Sequence, residues 1–202
     1  MNNTKWIFDT VRNKNRKGVI NELLMCDNLL TNGYETTVLN DNNPNWDMLL
    51  TKADRKFYLE SKLDNTSHIT GNFYFEYWNY TFSRKTGINN DNLYTLYSHT
   101  YYDIQQDKYF YLIGTRKQYI DAIGQILALE PTKIRNYDNT YYGLSGIKGD
   151  AAYIVNKETF LSYFKGYNKE LEFKVQGEIY DSIIKIYVAD IVDYVFLKSQ
   201  KC

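Results

Sequence analysis

Residues 57–64 read Phe57-Tyr58-Leu59-Glu60-Ser61-Lys62-Leu63-Asp64. Phe57, Leu59 and Leu63 fall on one face of a period-two strand, and Tyr58, Glu60 and Lys62 fall on the other. Upstream, Lys52–Arg55 is a turn and Trp46–Leu50 reads as a second strand. The turn cluster Asp41–Asn45 separates that strand from one at Tyr34–Leu39. Asp47 therefore lies on the neighbouring strand, across the turn from Glu60 and Lys62.

Ahead of these strands, Val19, Leu23, Cys26, Leu29 and Leu30 recur at 3.6-residue spacing between Gly18 and Asn32. Gly33 follows where a helix end favours glycine. On this helix Glu22 falls within the apolar arc, between Cys26 and Leu29, and Lys17, Asn21 and Asn28 fall opposite. Downstream, Asn72–Trp78 is a fourth, aromatic strand, Asn92–Tyr102 is read as helical and Lys108–Ile113 as a strand. Arg116–Leu129 is an amphipathic helix with Ile120, Ile123 and Leu127 inward, ended by Pro131. A Gly-rich polar loop through Gly149 follows, then a strand at Tyr153–Val155 and a short helix near Phe160. Two last strands are expected around Leu171–Val175 and Ile183–Val188. This order predicts an α/β chain with a mixed central β-sheet flanked by helices.

The chain has 202 residues, 44% of them apolar, which is enough for one sizeable core and requires no second domain. Its 24 basic and 24 acidic side chains cancel, so contact with a polyanion has to come from a local basic patch. Cys26 and Cys202 have the look of a reduced cytosolic pair, and His68 and His99 fit no recurring zinc spacing. With no export signal and no long apolar run, the expected location is cytoplasmic, without membrane contact. The 21 Tyr, the 2 Pro and the wealth of Asn, Lys and Ile suggest an AT-rich coding sequence of a phage, a virus or a bacterium. For a phage or virus the location becomes the host cytoplasm.

Carboxylates on adjacent strands can hold a hard cation through oxygen ligands, and a lysine beside them can orient a nucleophile or stabilise charge on a phosphate. An acid followed two positions later by Lys is nevertheless cheap: chance expects about two in this composition, and three occur, Asp54/Lys56, Glu60/Lys62 and Glu172/Lys174. A solvated strand face would look the same. Context separates them: Gly18-x3-Glu22, Gly33-Tyr34, Asn45-Trp46-Asp47 and Tyr58-Leu59-Glu60-Ser61-Lys62-Leu63-Asp64 appear in that order. Thr70-Gly71-Asn72, Glu76-Tyr77 and Thr86-Gly87-Ile88 follow.

This series resembles the PD-(D/E)xK nuclease superfamily, in particular archaeal Holliday-junction resolvases and small phage or viral nucleases, over residues 17–115. The resemblance implies a restriction-endonuclease-like core at about 17–130 in a single nuclease-like domain spanning 1–202, with 151–202 as a C-terminal elaboration. It implies Mg²⁺ or Mn²⁺ held by Asp47, Glu60 and the Ser61 backbone carbonyl, with Glu22 supporting a second metal and Lys62 as the catalytic lysine. The chain departs from the pattern in placing Pro44 three positions before the acid and Ser61 where an apolar residue is commoner. The implied activity is metal-dependent DNA endonuclease cleavage of phosphodiesters, structure-specific or junction-resolving, with no organic cofactor. Junction resolution would call for a homodimer.

Lys17, Thr70 and Asn72 are the candidate DNA contacts, Lys17 in a basic run with Arg12, Lys14 and Arg16 that reads equally as a solvated face. Glu76, between Tyr74 and Trp78 on one strand face, either approaches the metal site or faces solvent. His68 and His99 carry no assignment. The competing expectation is a catalytically inactive nuclease-fold module that binds nucleic acid or another partner without turnover.

Overall fold

A computed structural model of the chain describes residues 3–38, 47–89, 96–144, 146–173 and 177–199. The regular elements among them open with helices α1 (Asn3–Thr10) and α2 (Lys14–Leu30) and strands β1 (Glu35–Val38), β2 (Met48–Lys52) and β3 (Arg55–Asp64). A helical turn α3 (Ser67–Thr70) leads to β4 (Asn72–Asn79), the short β5 (Arg84–Lys85), β6 (Leu96–Asp103) and β7 (Lys108–Thr115). Helix α4 (Arg116–Leu129), strands β8 (Ile134–Gly143) and β9 (Gly146–Asn156), α5 (Lys157–Tyr163), β10 (Tyr167–Glu170) and α6 (Gly177–Ser199) complete the order.

The architecture is α/β. A six-stranded mixed sheet has the order β1-β2-β3-β6-β7-β10, with β3 and β6 parallel and the other neighbours antiparallel. A second, four-stranded sheet has the order β5-β4-β9-β8. One face of the large sheet presents Leu59, Tyr111 and Ile113 to α1, α2 and α6, where they meet Ile7, Leu24, Met25 and Ile183. The opposite face presents Tyr97, Tyr101 and Leu112 to Phe73 and Phe75 of the second sheet and to α4 and α5. The sheet is thus covered on both sides, which is why its central strands lose alternation.

The hairpin predicted at Lys52–Arg55 is present. Ala53 and Asp54, both at positive φ (48° and 61°), form its two-residue connection, the backbone geometry that matches strand twist. Leu39 and Asn40–Trp46 lie outside the described residues, as do residues 90–95, Cys202 and Lys174–Gln176, the last including Val175.

Several expectations are corrected. Within the expected helix Asn92–Tyr102, residues 96–102 form strand β6, buried on both faces between β3 and β7. A doubly covered strand shows no period-two signature to set it apart from a buried helix. The polar loop before Gly149 is the hairpin β8–β9; β8 is an almost wholly exposed edge strand, so its Asn, Asp and Thr side chains stay in water. Helix α4 turns Tyr119, Ala122, Ile123 and Ile126 inward, while Ile120 and Leu127 are exposed. No strand covers Leu171–Phe173; β10 ends at Glu170. The β-branched run Ile183–Val188 is helical within α6, because Ile183, Ile186 and Tyr187 recur at helical spacing and pack into the α2 core.

Asn21 and Asn28, placed on the outer side of α2 by periodicity, are buried, and Leu30 of the expected apolar arc is exposed. Tertiary partners set this face. The Asn28 side chain donates to the Glu172 carbonyl (2.8 Å) and accepts from the Glu172 N–H (2.9 Å), standing in for a strand neighbour at the chain segment after β10. Asn28→Ala is expected to destabilise the fold by about 2 kcal/mol, since it strands a backbone donor and acceptor together; urea unfolding measures it, with an unchanged midpoint as the contrary result.

Candidate active site

Strand β2 begins opposite Leu59: Met48 pairs with Leu59, and Asp47 extends the ladder by one bond, its N–H donating to the Leu59 carbonyl at 3.0 Å. Asp47 itself lies just outside the paired residues, sharing Leu59 with Met48, and its carboxyl is close enough to Glu60 to feel that charge. Beyond this point, among the described residues, β3 has no strand neighbour on its β2 side. The edge left free is taken up by Asp47, whose Oδ2 accepts from the Ser61 N–H at 2.7 Å. The Ser61 N–H and C=O point to the same edge in an extended strand, so the carbonyl also faces the Asp47 side. The structure therefore brings Asp47, Glu60 and Ser61 together, with Lys62 two positions along β3 and ion-paired to Glu60.

The electrostatics follow from this crowding. Burial pushes the Asp47 carboxyl up, the neighbouring Glu60 charge pushes it further, and Lys62 and the Ser61 N–H oppose, leaving it at about 6. For Lys62, burial works against the charged form, but Glu60, Asp47 and the more distant Glu76 outweigh it and hold the ammonium well above its usual range. Its side chain remains 43% exposed, so it stays charged and reachable from solvent.

A cavity of about 470 Å³ opens beside Lys62 and Ser61; Asp47 and Glu60 are not among the residues that line it. Ser61, Lys62 and Asp64 line it from β3, Glu22 and Gly18 from α2, and Tyr74 and Glu76 from β4. Glu22 thus shares the cavity with Lys62 but arrives from the opposite side of the sheet. Asn21 fixes α2 against β3 there, its Nδ2 donating to Ser61 Oγ at 2.9 Å within the core. Among the described residues no three of His, Cys, Asp and Glu converge as a metal-holding group. What is assembled is a crowded carboxylate pair flanked by a backbone carbonyl.

Glu76 belongs to this cavity. Its Oε1 accepts from Thr86 Oγ1 at 2.6 Å, and Gly87, at φ +50°, packs so closely that a Cβ would lie 2.3 Å from the Glu76 carbonyl. The run Thr86-Gly87-Ile88 therefore serves to fix Glu76, with Ile88 fully buried beneath it.

Asp64 and His99 carry no sequence assignment yet lie on the wall of the same cavity. His99 Nε2 is 3.3 Å from Asp64 Oδ2, close enough for charge attraction without hydrogen-bond alignment, and the imidazole rests on Phe73 and Phe75. Burial alone would raise the Asp64 carboxyl, but His99 and the N–H groups of Thr66 and Ser67 hold it below its usual range. Only the parallel pairing of β3 with β6, which sets Lys62 beside His99, makes this pair visible.

The expected DNA contacts Lys17, Thr70 and Asn72 are not brought to the cavity. Lys17 is half-buried near Asp9 and Asp190; burial lowers its pKa against their attraction. Thr70 and Asn72 spend their side chains on each other's backbone around Gly71, at 3.2 and 2.7 Å. Lys14 of the same basic run does reach the rim. His68 lies edge-on to Tyr102. No described helix is long and apolar enough to cross a membrane. The chain matches no protein-family model, no curated protein and no solved structure.

Proposed function

We propose that the chain is a metal-dependent endonuclease that hydrolyses DNA phosphodiester bonds at the edge of β3, with a restriction-endonuclease-like core. The observation that carries this reading is the proximity of the Asp47 and Glu60 carboxylates with Lys62 beside them, the residues that the sequence resemblance singled out. Asp47 is raised to about 6 by burial and by Glu60, so the pair is short of positive charge. An all-oxygen donor set of this kind fits Mg²⁺ or Mn²⁺. Asp47, Glu60 and the Ser61 carbonyl would hold the ion, and Glu22 across the cavity would support a second.

A bound divalent ion would supply an acidified water and neutralise charge on the phosphate. The remaining work falls to the chain. Lys62, charged and partly exposed, orients the attacking water or meets charge developing on a phosphate oxygen; either role needs its ammonium within reach of the scissile group. Ser61 N–H fixes Asp47 Oδ2, which leaves Oδ1 for the ion. Lys14 at the rim offers a contact to the phosphate backbone.

Calorimetric titration with Mn²⁺ tests the metal site. Wild type is expected to take up Mn²⁺ at about pH 7.5, where the Asp47 carboxyl is ionised, and Asp47→Ala to lose at least tenfold in affinity. Absence of binding in wild type would favour the competing reading, a non-catalytic nucleic-acid-binding module.

A further inference from the structure

We propose that a second cavity, at the opposite end of α2 from the candidate active site, binds a nucleotide: a flat aromatic ring carrying a phosphate. The cavity, of about 360 Å³, lies where α2 stops at Leu30 and leaves one face of the large sheet uncovered. That volume is at the small end of ligand pockets, roughly 300–1,000 Å³, and suits one nucleotide rather than a duplex. Gly18, at the rim of the first cavity, and Leu29, on the wall of this one, are eleven residues apart on α2, about 16 Å of helix rise. The two are separate sites.

Two features specify the ligand. The floor and walls are apolar and aromatic: Phe57 and Tyr111 from the sheet, Tyr34 edge-on to Phe57 at 6.4 Å between centroids, and Tyr167 exposed at the rim. Such rings stack on any base with little preference. Lys52 and Lys169 line the cavity and, among the described residues, no carboxylate does; the carboxylates Asp27, Glu170 and Glu172 line a neighbouring cavity on the far side of Asn32 and Lys169. Both ammonium groups come to the same residue, Lys52 Nζ to the Asn32 carbonyl and Lys169 Nζ to Asn32 Oδ1, each at 3.0 Å, so the positive charge is gathered at one end. Lys52 also lies over the Tyr34 ring, 4.4 Å from its centroid. These partners of the two lysines are neutral, an arrangement that an incoming phosphate improves. The adjoining start of α4 is closed on itself by Thr115 and Gln118, so the lysines are the charged donors. A base on the aromatic floor with its phosphate toward Asn32 satisfies both halves of the cavity.

The proposal does not rest on the cleavage reading, and it is tested without divalent metal. The full chain is titrated calorimetrically with dAMP, adenosine and inorganic phosphate. dAMP is expected to bind at least tenfold more tightly than either of the others, with replacement of adenine by another base changing affinity only a few-fold. The double variant Lys52→Gln, Lys169→Gln is expected to lose at least tenfold for dAMP while keeping the wild-type melting curve, since both ammonium groups are at the surface. A 5′-phosphorylated tetranucleotide that binds as well as dAMP, and better than its unphosphorylated form, assigns the site to a strand end. Preference for dAMP alone assigns it to a free nucleotide. Equal binding of phosphate and dAMP, equal binding of adenosine and dAMP, no binding of dAMP or the phosphorylated strand, or binding indifferent to the two lysines overturns the proposal.

Discussion

Lys62→Ala is expected to lower metal-dependent DNA cleavage by at least about 10²-fold, the scale on which a single group aimed at transition-state charge acts. The residue is the cation paired to Glu60 and the one that offsets Asp47 at the edge of β3. On the proposed reading its loss removes the group that would meet or orient the reacting phosphate, and it leaves the Asp47 and Glu60 carboxylates with less compensation. The chain should still fold, because Lys62 contributes no side chain to either buried cluster. Lys62→Arg is expected to restore the charge balance without restoring the rate, since a planar guanidinium delivers its donors differently from a point charge. The measurement is the cutting rate of a defined duplex beside circular dichroism. Cutting by Lys62→Ala at the wild-type rate would show the assignment to be wrong.

Asp47→Asn should abolish cleavage and at the same time stabilise the metal-free chain above about pH 6. The Asp47 carboxyl titrates near 6 in the folded state, against about 3.9 unfolded. The folded chain therefore holds the extra proton between about pH 4 and 6. The stability tied to that proton is whole below about pH 4 and is lost as the pH rises through about 6. A shift of about two units sets an upper bound near 3 kcal/mol, and solvent screening at a partly exposed edge brings the expected gain to about 1–2 kcal/mol. For a chain of this length that is a rise of roughly 2–8 °C in melting temperature. The carboxamide introduced by the substitution still offers an oxygen to the Ser61 N–H, so the geometry has no reason to collapse. Melting curves at about pH 4 and about pH 8 should show the gain at the higher pH and little at the lower. A uniform loss of stability at both would mean that the carboxylates do not oppose each other.

The central hairpin was legible in the sequence because the residues Phe57–Leu63 alternate in polarity and the Lys52–Arg55 turn sets the register from Lys52↔Arg55 to Met48↔Leu59, which leaves Asp47 next to the strand that carries Glu60. Helix α2 was legible as an element but not as a face. Asn21 and Asn28 look polar and outward by periodicity, yet each is buried on a specific partner, Ser61 Oγ and the Glu172 backbone. Strand β6 and helix α6 were misread for opposite reasons. Burial on both faces erased the alternation of β6, and the β-branched residues of α6 suggested a strand until packing against α2 imposed helical spacing. Asp64 and His99 could not be paired from sequence, because they are far apart along the chain and only the parallel β3–β6 ladder joins them.

The most direct test is incubation of the purified chain with supercoiled plasmid, linear duplex and a synthetic four-way junction in Mg²⁺ or Mn²⁺, beside Asp47→Ala. Cleavage of at least one substrate that requires the metal and disappears in Asp47→Ala is the predicted result. Failure to cut any of them with either metal, or cutting that persists in Asp47→Ala, would contradict the account.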